Sequence, residues 1–272
     1  MRLAEVVQVL VRYGFSDVVH RLGLHEGLPA KVLRGFRLIE APSGEPETQG
    51  RRLRAALTEL GPTAVKFGQI LSTRPDLVGG EMAKDLGLLQ DRVRAIEFEK
   101  LKPVIEEELG APLADLFFEF NEEAVASASL SQVYRATTRT GKRVAVKVQR
   151  PGVRRIIEAD LLLMRSIAEW IVERVPDVTW MNPVGTVDEF ARSVKRELDF
   201  AIEARIIEQF RKNYDGDPRV FVPRVYTELS SERVLAMDWV EGVRVDDIAQ
   251  YGRYRSNPQT VAVTGADTLC KQ

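Results

Sequence analysis

One cysteine, Cys270, and two histidines, His20 and His25, are all that this 272-residue chain holds of those residue types. A lone thiol closes no internal disulfide and builds no thiolate metal cluster, and a reducing compartment fits that usage. Neither sign of charge dominates: 39 basic and 40 acidic side chains leave a formal charge of −1. Bulk attraction to nucleic acid is therefore not indicated. No apolar run approaches the roughly 18 residues of a spanning helix. The N-terminus carries charges throughout and no small-residue cleavage site, so it does not read as a signal peptide. These absences give a soluble reading, with amphipathic contact to a membrane surface left open. There is no internal repeat and no low-complexity tract. What the chain does have is 44% hydrophobic residues, enough to bury a core in one or two domains.

Helical periodicity runs over residues 3 to 40 (Val6, Val9, Leu10, Tyr13, then Val18, Val19, Leu22), broken at Gly14 and Gly23. Residues 41 to 50 form a polar linker rich in Pro, Gly and Ser. Leu53, Leu57 and Leu60 mark the next helix, and Gly61-Pro62 starts another through Ile70, because proline suits a first helical turn. Further helices are expected from about Glu81 to Val93 and from Glu97 to Leu109, the latter closed by Gly110 and Pro112. The pattern then changes. Phe117 to Phe120, Leu130 to Ala136 and Val144 to Gln149 read as strands, the last two joined by a turn at Thr140-Gly141. Long helices follow over Pro151 to Val175 and Thr186 to Tyr214. Val220 to Glu228 and Arg233 to Met237 read as two more strands.

Four segments could carry chemistry. In Gly141-Lys-Arg-Val-Ala-Val-Lys-Val-Gln-Arg150, Val144, Val146 and Val148 alternate with Ala145, Lys147 and Gln149, the period of a strand with two faces. A lysine there is well sited to reach nucleotide phosphates, as the Val-Ala-x-Lys strand of protein kinases does with a helix glutamate beside it. An exposed lysine on an ordinary hairpin is the alternative. Upstream, Ala124-Val-Ala-Ser-Ala-Ser-Leu-Ser131 lies between two strands, where a phosphate-cradling loop normally uses glycine. Around Arg196-Glu-Leu-Asp-Phe-Ala-Ile-Glu-Ala204, Asp199 and Glu203 share a helix face, whereas Glu197 lies about 200° from Asp199. All three meet one site only if the helix bends or has two neighbours; otherwise they are a solvated acidic stripe. In Lys66-Phe-Gly-Gln69, Lys66 and Gln69 sit three apart on one face, with Gly68 allowing another backbone close, or else making a plain helix–helix contact.

Together these segments resemble the UbiB-type (ADCK) atypical kinase-like family, over about Arg52 to Gly242. Leu60-Gly-Pro-Thr-Ala-Val-Lys-Phe-Gly-Gln-Ile-Leu-Ser-Thr-Arg-Pro-Asp76 is similar to its KxGQ helix, and Leu89-Gln-Asp91 to that motif's continuation. Ala126-Ser-Ala-Ser-Leu-Ser-Gln-Val133 is similar to its alanine-rich loop, and Glu197-Leu-Asp199 to its ExD motif. The resemblance implies an α+β fold: a protein-kinase-like small lobe, with a five-stranded antiparallel sheet plus helices, preceded by a helical N-terminal extension. It implies an N-terminal helical segment and linker (1–50), a KxGQ extension (51–110), a small lobe with hinge (111–242) and the start of a large lobe (243–272).

For the residues, it implies that Lys147 contacts the α/β phosphates of ATP, paired with Glu203. Ala126, Ser127, Ala128 and Ser129 border the nucleotide. Met237, Asp238 and Val240 form a hinge that meets adenine through its backbone. Lys66, Gly68 and Gln69 lie across the site, engaged by Glu197 and Asp199. It further implies ATPase or small-molecule chemistry in support of ubiquinone or other isoprenoid-lipid biosynthesis, with isoprenoid lipids, quinone-biosynthesis proteins and a membrane surface as partners and no nucleic acid. The expected place is the cytoplasm, peripheral to the inner membrane.

The sequence departs from that family at its end. No histidine follows His25, no Asp-Phe-Gly triplet occurs, and only 34 residues follow Asp238. The catalytic loop and the aspartates that would hold Mg²⁺ are thus not expected in this chain, which reads as an N-terminal portion ending before them. No catalytic residue and no metal ligand is assigned within it. Ala124 stands where the family usually has proline. A non-catalytic nucleotide-binding or scaffold fragment is the competing reading.

Overall fold

The computed structural model describes residues 2–24, 48–89, 94–175, 180–245, 247–254 and 256–271. The chain divides into two compact units. The first gathers Met1–Arg94, Ser127–Leu130 and Arg150–Leu198; the second gathers Ala95–Ala126, Ser131–Gln149 and Asp199–Gln272. Reading along the sequence, the backbone passes from one unit to the other five times. In chain order the helices are α1 (Arg2–Arg12), α2 (Ser16–Arg21), α3 (Gln49–Leu60), α4 (Pro62–Ser72), α5 (Pro75–Val78) and α6 (Gly80–Leu86). After these come α7 (Phe98–Leu109), α8 (Leu113–Leu116), α9 (Val153–Arg174), α10 (Pro183–Glu197), α11 (Phe200–Asn213) and α12 (Pro258–Cys270). The strands are β1 (Phe117–Phe120), β2 (Ala126–Ser127), β3 (Ser131–Thr138), β4 (Arg143–Gln149) and β5 (Val234–Asp238).

The first unit is helical. Gly61 links α3 to α4 at φ 97°, a backbone geometry that a side chain would strain, and Pro62 follows in the first turn of α4. The apolar stripe of α9 meets α10 and α4: Leu130, Ile157, Leu161, Phe190, Val194 and Leu198 are buried together, with Phe67 and Ile70 packed on them. Phe67 and Phe190 meet edge to face at 5.2 Å between ring centroids. Arg2 on α1 donates to Asp160 of α9 at 2.7 Å and to the Leu60 carbonyl at 2.6 Å, tying three helices.

The second unit holds the antiparallel sheet, in the order β1-β3-β4-β5 with β2 paired to β3. The β3–β4 hairpin turns at Gly141, φ 78°. Val144, Val146 and Val148 of β4 are fully buried on the face covered by α7, with Leu101, Ile105 and Tyr134. Buried Gln132 is satisfied on both ends, accepting from the Ile96 N–H at 2.6 Å and donating to the Ile96 carbonyl and the Tyr134 hydroxyl. Helix α11 covers β5 through Phe200, Val225 and Leu235.

Several sequence expectations need correction. Thr186 to Tyr214 is not one helix: α10 ends at Glu197, and α11 begins at Phe200. Val220 to Glu228 is not a strand. It makes one isolated bridge, Val225 to Met237, and a 3₁₀ turn over Thr227–Leu229, because Pro223 has no N–H to continue a ladder. The fifth strand is instead the short β2, inside the Ala/Ser segment. The stretch expected as helix from Glu81 is helical only to Leu86, and α3 already begins within the expected linker, at Gln49. The readings of 25–40 as helix, 41–47 as linker and 90–93 as helix, Gln90-Asp91 included, lie outside the described residues.

Candidate functional site: a lysine–glutamate pair and a capped acidic break

In the second unit, β4 places Lys147 opposite Leu235 of β5 and Val133 of β3, in the middle of the sheet. Strand alternation sends its side chain to the face opposite the valine core. There Lys147 Nζ lies 2.7 Å from Glu203 Oε2 of α11. The Phe200 ring lies 4.6 Å beneath the ammonium, adding a cation–π contact. Both charged side chains stay partly open, Lys147 at 24% exposure and Glu203 at 36%. An ion pair that open contributes only about 0–1 kcal/mol to stability. Its consequence is positional: a partly open ammonium fixed over a sheet.

At the end of β5, Met237 pairs with Ala145, and the Asp238 carboxylate accepts from the Arg224 N–H and the Tyr226 hydroxyl, each at 2.9 Å. Burial pushes the Tyr226 hydroxyl above its ordinary pKa, and the bond to Asp238 pushes it the same way. The N–H groups of Asp238 and Trp239 donate to the Arg224 and Arg143 carbonyls. The side chain of Asp238 is therefore engaged in shaping the turn, while Val240 beyond it is half exposed.

The first unit holds the other motif residues. Lys66 Nζ lies 3.1 Å from Glu197 Oε2, joining α4 to the last residue of α10. Gln69 donates to the Leu89 carbonyl at 3.4 Å. At Gly68 the close neighbours are side chains rather than another backbone. A Cβ there would lie 2.4 Å from Leu89 Cδ1 and 2.7 Å from Leu57 Cδ1. Ser127 and Ala128 are half-buried and Ser129 is buried. Arg150 fastens this segment, donating to the Ala128 carbonyl at 2.8 Å, the Ser127 hydroxyl at 2.6 Å and the Arg94 carbonyl at 2.9 Å. Sequence reasoning passed over Arg150, although an arginine directly after the Lys147 strand was a visible signal. Ala126 lies in the second unit, exposed, at the start of β2.

Glu197 and Asp199 do not share a helix. Asp199 is the N-cap of α11, its carboxylate accepting from the Ala201 N–H at 3.0 Å. The Phe200 N–H donates instead to the Glu232 carbonyl at 2.9 Å, which fixes where the new helix starts. The break turns three carboxylates of one sequence run to three tasks: Glu197 to Lys66, Asp199 to the helix cap, Glu203 to Lys147. Among the described residues no group of three or more His, Cys, Asp or Glu side chains is arranged to hold a metal ion. Nor, among them, is any helix long and apolar enough to cross a membrane.

A family model described as the ABC1 atypical kinase-like domain matches residues 88–272. Curated relatives named "Probable protein kinase UbiB" are similar over the whole chain. The one from Serratia proteamaculans (strain 568) is 37% identical, with 100% of this chain matching 50% of its own length. The one from Sodalis glossinidius (strain morsitans) is 36% identical, with 49% of its length covered. The chain thus spans about half the length of the curated relatives it matches. Among solved structures, the complex of Rv3197 with erythromycin from Mycobacterium tuberculosis superposes with a TM-score of 0.51 at 34% identity, covering 72% of this chain and 49% of that one.

Proposed function

Because this chain belongs to the ABC1 atypical kinase-like family, we propose that it is the nucleotide-gripping portion of a UbiB-type ATP-dependent kinase or ATPase. The observation that carries this reading is the Lys147–Glu203 pair at 2.7 Å, between a central sheet strand and the helix beside it. A half-exposed ammonium held by one carboxylate keeps two protons for further acceptors. Phosphate oxygens suit them, and Lys147 would neutralise the α/β phosphates while Glu203 holds it in place. Adenine would be met by the backbone at Met237, Asp238 and Val240, and the phosphates bordered by Ala126, Ser127, Ala128 and Ser129. Bound ATP supplies the transferable phosphoryl group. Among the described residues no group of three or more His, Cys, Asp or Glu side chains is arranged to hold magnesium. We assign the Mg²⁺ ligands and the catalytic base to the half of the relatives' length that this chain does not span.

Support of ubiquinone or related isoprenoid-lipid synthesis, at a membrane surface, is the biological role we propose, resting on the name the curated relatives carry. A non-catalytic nucleotide-binding or scaffold role for the chain by itself is favoured by the lack of a metal-ligand group among the described residues. Equilibrium binding of a fluorescent ATP analogue to the 272-residue chain tests the reading. Saturable binding is expected, weakened at least tenfold by Lys147→Ala, with no ATP turnover. Binding indifferent to Lys147→Ala would remove the nucleotide assignment. Mg²⁺-dependent hydrolysis lost in Lys147→Ala would overturn the division of labour between the two halves.

A further inference from the structure

In the second unit, β5 is the last strand in the order β1-β3-β4-β5, and its outer edge is met by residues 224–226. On the side of β4, Trp239 donates its N–H to the Arg143 carbonyl at 3.1 Å. Antiparallel alternation therefore turns the backbone groups of Asp238 to the outer side. There Val225 bridges Met237. The Tyr226 N–H donates to the Ala236 carbonyl at 2.9 Å, and the Asp238 N–H donates to the Arg224 carbonyl at 3.0 Å. A regular ladder would add a return bond at each of these pairs: Ala236 N–H to the Tyr226 carbonyl, and Arg224 N–H to the Asp238 carbonyl. Instead, a side chain takes each return donor.

The two side chains differ in what they give back. Ser230 accepts from the Ala236 N–H at 3.0 Å and donates its hydroxyl to the Tyr226 carbonyl at 2.7 Å, so both backbone groups are served. Asp238 Oδ2 accepts from the Arg224 N–H at 2.9 Å. A carboxylate only accepts, so it removes the donor and returns nothing to the carbonyl of its own residue. Buried Tyr226 holds the carboxylate in this place, donating its hydroxyl to Oδ1 at 2.9 Å. The strand thus ends on a backbone carbonyl whose ladder donor has been diverted.

We propose that the Asp238 carboxylate and the Tyr226 hydroxyl are positioning groups for base selection: by diverting the Arg224 N–H, they reserve the Asp238 backbone carbonyl for the 6-amino group of a purine. This rests on the nucleotide reading above, which sets the same backbone against adenine. A 6-aminopurine donates to that carbonyl. A 6-oxopurine brings a second acceptor instead and leaves the carbonyl unpaired, which a site built around a donor penalises. The selection is made by the backbone, and the two side chains act through it without touching the nucleotide.

Competition of ATP and inosine triphosphate against a ribose-labelled fluorescent ATP on the 272-residue chain tests it. Inosine carries a 6-oxo group where adenosine has the amino group. ATP should bind about tenfold tighter, the worth of roughly one hydrogen bond. Asp238→Ala returns the Arg224 N–H to the carbonyl and should abolish most of that preference. Asp238→Asn, which keeps an oxygen for the Arg224 N–H, should recover most of it. Tyr226→Phe should cut the preference about threefold in the parent and have no further effect in Asp238→Ala, because the hydroxyl acts through the carboxylate. Should Asp238→Ala fail to fold, Tyr226→Phe decides alone. Lys147→Ala, which acts on the phosphates, should weaken both nucleotides alike. If it does so while Asp238→Ala leaves the preference unchanged, or lowers both affinities equally, the base-selecting role alone falls. A parent chain that binds inosine triphosphate as tightly as ATP overturns it too. Indifference of both nucleotides to Lys147→Ala would remove the nucleotide reading and the base-selecting role with it.

Discussion

Gly68 shows how much a single missing atom can decide. A glycine inside a helix costs about 1 kcal/mol relative to alanine, so α4 would gain local stability from Gly68→Ala. Against that, the new methyl would sit 2.4 Å from Leu89 and 2.7 Å from Leu57. Both leucines are buried, at 7% and 8% exposure, in one cluster with Leu86, and have little room to swing away. Overpacking of this kind costs about 1–3 kcal/mol and outweighs the propensity gain. Gly68→Ala should therefore lower stability by about 1 kcal/mol in denaturant titration; a rise in the unfolding midpoint would show that the leucines yield freely. Lys147 is the contrasting case, a residue whose exposed pair adds little stability and whose removal should be felt in binding instead.

Among the elements, the break between α10 and α11 organises both motif clusters, and its weight can be measured. Asp199→Ala removes the N-cap of α11 and should cost about 1 kcal/mol, within the usual span for cap deletions. Asp199→Asn, which can still accept from the Ala201 N–H, should recover most of it. If alanine and asparagine melt alike, the cap is not what sets the boundary. The same break marks where sequence legibility ended. The β3–β4 hairpin was readable because Val144, Val146 and Val148 alternate cleanly around Lys147, and α4 because Pro62 and its apolar spacing announce it. Residues 186 to 214 keep helical periodicity straight through Leu198. The interruption comes from the distant Glu232 carbonyl capturing the Phe200 N–H, a tertiary contact that no local pattern encodes. Val220 to Glu228 failed differently: its β-forming residues were counted and Pro223 was not. The pairing of Lys147 with Glu203 was implied by the family resemblance rather than by helix-face spacing, which set Glu203 only beside Asp199.

Taken whole, the molecule resists being divided. A chain beginning at Ala95 keeps the sheet, yet it also keeps α9 and α10 without Phe67 and Ile70, which pack against their buried stripe. Residues 95–272 alone should show a broadened thermal transition and increased binding of a hydrophobic dye. A sharp melt at the temperature of the full chain would mean that the sheet unit and the leftover helices need nothing from residues 1–94. The reason lies in the five passages of the backbone between units. Two domains joined by one linker can be shuffled among genomes by a single crossover. Here a crossover at any of those five boundaries would divide at least one unit between two ancestors. No single crossover can therefore exchange one unit whole and leave the other untouched.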